Sequence, residues 1–246
     1  MEGGQPSGIG RGAWIERALL SAGLVALFSV GYFCVGLTVD PARARELMTG
    51  LDARLPFVPA SIWAYSWVFP AAFAPLFVVR SRELFRRVVV AYAIVMVISF
   101  LAFALLPVTS RRLRADVSGL DPARFSQWAV ALLYRLDPPL NLFPSLHLSI
   151  AAIAALACWK ADRRTGWLMA VGVALVGLSI CTVKQHFVLD GIGGLALAGI
   201  AWGFTFRNYR PAEGERVAWS WRGPAAYVLF LAVSYSALYL VFCFSS

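Results

Sequence analysis

A bundle of membrane-spanning α-helices is the fold class that this sequence predicts, and three observations predict it. Sixty per cent of the 246 residues are apolar and only fourteen per cent are charged. The mean hydropathy is +0.71. The apolar residues are gathered into runs near the roughly 20 residues that a bilayer's hydrocarbon core demands. A soluble domain of this length with so few charges would expose extended apolar patches.

Seven such runs lie at about 18–39, 57–79, 88–107, 145–160, 165–183, 186–206 and 224–244. The first follows a polar segment, 1–17. It exceeds the roughly 7–15 residues of a signal-peptide core, and Pro41 crowds the small-residue site at 42–44, so an uncleaved first helix is expected. The second run contains Pro70 and Pro75, which break backbone hydrogen bonding, so its straightness is in question. The fourth is short. A six-helix core over 18–206 and an additional C-terminal span within 207–246 make up the expected organisation.

Between the third and fourth runs lies the longest connecting segment, 107–144. Residues 121–137, DPARFSQWAVALLYRLD, read as a short helix. Asp121 is placed to cap it, Pro122 suits its first turn and DPPLN ends it. Phe125, Trp128, Ala129, Leu132 and Leu133 share one face, as either an interfacial helix or an ordinary packed loop helix would have them. Trp159, Trp167, Trp219 and Trp221 have the placing of interfacial anchors. Gly191, Gly194 and Ala198 form a small-residue stripe on the sixth run that suits close helix packing.

If the helices alternate, one face of the bundle carries the N-terminus and the loops at 80–87, 160–165 and 207–223. Thirteen basic and six acidic residues fall there, a net +7. Nine basic and seven acidic residues fall opposite, a net +2, and the two sum to the chain's +9. The positive-inside rule assigns the first face to the cytoplasm, with the protein in the cytoplasmic (inner) membrane. Five arginines of the 107–143 loop then lie on the periplasmic or exterior side and need a purpose other than topology. The flanking of spans by arginine also favours lipid headgroups over nucleic acid as the anionic partner. Four cysteines, Cys34, Cys158, Cys181 and Cys243, lie in apolar runs without metal-ligand spacing and read as small buried hydrophobes.

The chain has two histidines, in NLFPSLHLSI (141–150) and VKQHFVLDGIGG (183–194). Alternating topology puts His147 and His186 at one depth on one side, the side of the arginine-bearing loop. Asp190 follows His186 by four residues and so shares its helical face. A carboxylate at that depth is costly unless paired. Two imidazoles, a carboxylate and nearby cations suit phosphoryl transfer. One ring attacks phosphorus while Asp190 holds its other N–H, and the second ring handles the leaving group's proton. Lys184, Ser145, Arg111 and Arg112 are the candidate phosphate contacts, with backbone N–H groups after Pro144 free to face an anion. Haem ligation gives no role to Lys184, Asp190 or the arginines. A two-histidine, one-carboxylate metal site would be opposed by those same cations.

FPSLH (143–147) and KQHFVLD (184–190) resemble the second and third signatures of the type 2 phosphatidic acid phosphatase superfamily, which includes vanadium haloperoxidases. The pairing most resembles the inositol phosphorylceramide synthase-like (inositolphosphotransferase) branch, over roughly 85–206. The resemblance implies a metal-independent phosphatase or phosphotransferase that needs no cofactor and acts on a phosphorylated lipid. His186 would be the nucleophile, Asp190 its partner, His147 the general acid and base, and Ser145 a phosphate contact. The superfamily's third signature begins Ser-Arg, whereas here Ser179 precedes Ile180, which leaves Lys184 as the substitute cation. Its first signature supplies a Lys and an Arg-Pro pair; PVTSRRLRAD (107–116) offers Arg111 and Arg112 without a following proline, Arg112 being favoured. The last span exceeds the superfamily's usual six. Water as acceptor makes a lipid phosphatase and a lipid alcohol makes a headgroup transferase. A non-catalytic lipid transporter or scaffold is the reading of a different class, opposed by the complete His–His–Asp set.

Overall fold

The computed structural model describes residues 11–211 and 221–245. The expectations for most of the N-terminal segment, for Arg216 and for Trp219 lie outside them. Among the described residues the fold is an all-α polytopic membrane bundle with no strand beyond one isolated bridge between Arg45 and Val108. Five helices are long and apolar enough to cross a membrane.

Helix α1 (Arg11–Thr38) rests mainly on one neighbour, and its most apolar window is only 6% buried. A 3₁₀ turn and the short α2 (Gly50–Arg54) follow. Thr49 caps α2 through a capping box with Asp52. The second apolar run is not one helix. It is a 3₁₀ turn at Pro59–Ser61 followed by α3 (Ile62–Ser66), α4 (Val68–Ala71) and α5 (Ala74–Val78). Pro70 and Pro75 lack the N–H that would continue the ladder, and each ring crowds the carbonyl four residues back. Leu76 N–H turns to Phe73 O, and the Ala72 carbonyl accepts from the Tyr92 hydroxyl at 3.0 Å. A side chain from the next span thus completes the broken one.

Helix α6 (Arg82–Leu105) begins at Ser81, whose hydroxyl caps Leu84 N–H, and runs parallel to α1. Glu16 pairs with Arg82 and Arg86 at their first turns, while Tyr32 meets Phe103 near their last. Gly31 lets them touch: a Cβ there would lie 2.2 Å from the Phe100 ring. The predicted loop helix is present as α7 (Phe125–Leu136), starting four residues later than Asp121. Asp121 instead caps the turn before it, accepting from Ala123 N–H at 3.0 Å. Phe125 and Trp128 pack on Trp63, Tyr239 and Phe242, so the helix's apolar face is covered by protein.

The centre of the bundle is α8 (Leu146–Ala161), with eleven of its sixteen residues buried. At about 24 Å it is shorter than the hydrocarbon core. Contact with α4, α5, α6, α9 and α10 explains why it is apolar all round. Helices α9 (Arg163–Thr182), α10 (Val188–Thr205) and α11 (Arg222–Ser245) complete the fold. Helix α11 lies against α4, α5 and α7. Trp159 and Trp167 pack with tilted rings at the α8–α9 turn, centroids 4.6 Å apart, and Trp221 is exposed. All four cysteines are free; Cys158 and Cys181 are buried, whereas Cys34 and Cys243 are exposed.

The basic loops gather at one end. Arg17, buried, donates to Val79 O at 2.6 Å and Arg80 O at 2.7 Å, filling the C-terminus of α5. Lys160 donates to Tyr209 O, and the Tyr209 hydroxyl meets Ser81 Oγ at 2.7 Å. The 107–143 segment and both histidines occupy the other end.

Candidate active site

The site begins with how α9 ends. Gln185 N–H bonds Ile180 O and Lys184 N–H bonds Cys181 O, the two bonds of a Schellman turn. Its left-handed position, usually glycine, is held by Lys184 at φ 58°. The side chain helps to hold that strained backbone. Lys184 Nζ donates to Leu55 O at 2.6 Å and Asp52 O at 3.1 Å, fastening the α2 segment over the turn. Asp52 Oδ1 accepts from Val188 N–H at 2.8 Å, capping the first turn of α10. Leaving this turn, the chain presents His186.

Asp190 serves two donors with one oxygen. Its Oδ2 accepts from Phe187 N–H at 2.9 Å and lies 3.3 Å from His186 Nδ1. Its Oδ1 is buried without a protein partner. His186 and Asp190 are 2% and 0% exposed, so the pair lies in a medium where charge is costly and each contact counts.

His147 arrives from α8. Ser145 Oγ caps Leu148 N–H at 3.3 Å, and Ser145 N–H donates to Asp190 O at 2.9 Å, joining the start of α8 to the first turn of α10. Gly194 permits this approach, since a Cβ there would lie 2.5 Å from Ser145 O. Ser149 Oγ adds a bond to Gly194 O at 2.9 Å. The small-residue stripe therefore sets the distance between the imidazoles. His147 Nδ1 lies 3.2 Å from His186 Nε2, and His147 Nε2 lies 3.3 Å from the Tyr65 hydroxyl. The result is one line of groups: Tyr65, His147, His186, Asp190.

Of the residues expected to hold phosphate, Lys184 and Ser145 are engaged with backbone and the two arginines are exposed. Lys184 Nζ is occupied with backbone carbonyls. Ser145 is fully buried and acts as a helix cap, and its N–H, expected to face an anion, is taken by Asp190 O. Arg111 is exposed, and Arg112, with 85% of its side chain exposed, sits 3.8 Å from Glu46.

Arg114 is the arginine that enters the bundle. Leu113 and Arg114 N–H both bond Ser110 O, a turn that buries Leu113 and sends Arg114 inward. Its guanidinium donates to Tyr134 O at 3.0 Å, to Gln185 Oε1 at 2.8 Å and to Asp137 O. Burial pulls this guanidinium below its usual range, and the Asp137 carboxylate opposes that. Gln185 Nε2 donates to Asp137 Oδ2 at 2.6 Å, and Tyr32 donates to Asp137 Oδ1. The Asp137 carboxylate also lies near enough to Tyr65 for its charge to act on the hydroxyl. Sequence reasoning missed Tyr32, Tyr65, Arg114, Asp137 and Asp52. Arg114 alone left a trace, as the third base of RRLR.

A buried carboxylate and two paired imidazoles thus meet at one end of a membrane-type helical bundle, an arrangement able to hold and pass protons. The sequence profile of the PAP2 superfamily matches residues 42–204, 163 of the 246, and the chain belongs to that superfamily. Membership supports an enzyme of the phosphatase type, acting on lipid phosphoesters in general. The match spans α2 through α10 and leaves out α1 and α11 entirely. No curated protein and no solved structure matches the chain.

Proposed function

We propose that the protein is a lipid phosphatase or phosphotransferase working through a phosphohistidine, and one observation carries it: the unbroken Asp190–His186–His147–Tyr65 line. With Nδ1–H of His186 given to Asp190, Nε2 keeps its lone pair for phosphorus. That lone pair forms the N–P bond while the P–O bond to the lipid breaks, and Asp190 stabilises the charge gained by the ring. The departing oxygen takes the proton from His147 Nδ1; His147 then removes a proton from the acceptor hydroxyl, which attacks phosphorus and frees His186. The reaction so written uses no metal ion.

The Tyr65 oxygen, at His147 Nε2, accepts its proton and steadies the ring in its acid form. At 3.2 Å the imidazoles leave no space for a phosphoryl group, so substrate entry moves His147 off His186. Arg114 is the cation best placed to hold charge near Gln185 and the nucleophile. The active site on this reading faces the exterior of the cytoplasmic membrane, opposite the more basic end.

Water or a lipid alcohol is the acceptor, and the inositolphosphotransferase branch supplies the transferase reading. The test uses purified full-length protein in detergent with phosphatidic acid, phosphatidylglycerophosphate, polyprenyl diphosphate and phosphatidylinositol, and His186→Ala as control. Free phosphate that disappears in the variant marks a phosphatase. A new phospholipid without free phosphate, when an alcohol is supplied, marks a transferase. Neither product from folded protein would leave the line of groups structural.

A further inference from the structure

Beside His147 lies a cavity of about 260 Å³ between α1, the broken α4–α5 segment, α6 and α8. On α1 its wall runs from Ser21 to Tyr32, and on α6 from Phe85 to Met96. Eleven residues at 1.5 Å each make it about 16 Å long. Tyr32, Asn141 and His147 mark one end; Ser21 and Phe85 mark the other, next to Arg17, whose guanidinium lies over the Phe85 ring.

We infer that this cavity holds an alkyl chain of the lipid phosphate, entering between α1 and α4, and that its Ser21 end limits the chain length the enzyme accepts. The inference rests on the phosphoester reading for the identity of the headgroup. Three observations support it. Among the described residues that line the cavity there is no Asp, Glu, Lys or Arg, so its chemistry suits hydrocarbon rather than a headgroup or ion. His147 has exposed surface while His186 and Asp190 have almost none, and His147 borders this cavity, so the reacting end and the apolar space are continuous. Val25 and Phe69, each about half exposed, sit on the lining, so the space opens sideways between α1 and α4. The α1 helix leans on α6 and leaves the α4–α5 side apart, which makes that opening. A chain lying along the wall brings its phosphate to His147, where the ring's displacement has room.

The test uses the full chain in detergent and a series of monoalkyl phosphates from hexyl to octadecyl. Binding is read as thermal stabilisation of the His186→Ala protein, and turnover as phosphate release by the wild type. Stabilisation should strengthen by roughly fourfold in affinity per added methylene up to a break, then flatten. Ser21→Trp, at the closed end, should move the break to shorter chains. Val25→Trp, about 6 Å nearer His147, should move it further. Leu19→Trp, on the outward face of α1 at 68% exposure, should leave it in place. An unchanged break in both Ser21→Trp and Val25→Trp would overturn the inference, as would stabilisation independent of chain length. Should Ser21→Trp not fold, Ser21→Phe and Val25→Trp give the same ordering. Breaks that move as expected while the wild type neither releases phosphate nor transfers it to a supplied alcohol would uphold the cavity and sink the phosphoester reading.

Discussion

The two ends of the bundle use similar side chains in opposite ways. At the end carrying α1's first turn, Glu16 pairs with Arg82 and Arg86, whose side chains are 62% and 51% exposed. Such pairs gain little, because water screens them and long side chains lose freedom. At the histidine end, Arg114, Asp137, Gln185 and Tyr32 form a network that shares partners, and Asp190 and His186 are buried outright. Removing a member there leaves another polar group without water or partner. Charge at the first end is screened by water; charge at the second sets atomic positions.

The largest expected effect is His186→Ala. Phosphate release should fall by about a thousandfold or more, with the helical circular dichroism unchanged. A wild-type rate would remove the histidine end's claim to chemistry. Gly194→Val comes next. A Cβ with branches against Ser145 O pushes α8 from α10, and a displacement of about 1 Å should cost about a hundredfold in kcat. Gly194→Ala, whose single Cβ already meets Ser145 O at 2.5 Å, should lose about tenfold, and a wild-type rate in it would break the reading that separation of α8 and α10 sets the imidazole distance.

Arg114→Met should destabilise the protein by about 2 kcal/mol in reversible detergent unfolding. That is less than the roughly 3–5 kcal/mol of a fully buried pair, because Arg114 keeps some exposure. Tyr65→Phe keeps the ring's packing and removes the hydroxyl at His147 Nε2. It should lower kcat by about tenfold, leave KM nearly unchanged and shift the acid limb of the pH–rate profile. Glu16→Gln is the smallest: stability and turnover should match the wild type within error. A loss there as large as that of Arg114→Met would end the contrast between the two ends.

Much of the fold was legible because the bilayer imposes it. Apolar runs, their alternation and the gathering of basic loops at one end all follow from burying backbone in hydrocarbon. The second run was legible only as doubtful. Prolines announce that a ladder breaks, not that Tyr92 repairs it. His147, His186 and Asp190 were legible because alternate crossings bring the first two to one end and helical spacing aligns the third. The cations were not. Lys184 stands two residues from His186, yet the turn that presents the histidine places the lysine in a left-handed conformation and sends its ammonium to Asp52 and Leu55 carbonyls. Arg111 and Arg112 lie on the outer side of the turn at Ser110–Arg114, so they stay exposed while Arg114 goes in. Neighbours in sequence were separated by one turn of backbone.

The sequence by itself determined an all-α membrane bundle, its superfamily, and which two imidazoles and carboxylate would meet, because these depend on periodicity, run length and parity of crossings. Only the tertiary structure decided that Gly194 sets the spacing of α8 and α10, that Arg114 is the inward cation, and that Tyr65 and Asp137 stand behind His147. Those contacts join residues 20 to 105 positions apart or lie on the inside of irregular turns. Side-chain direction there is set by packing against distant segments, and no local pattern encodes it.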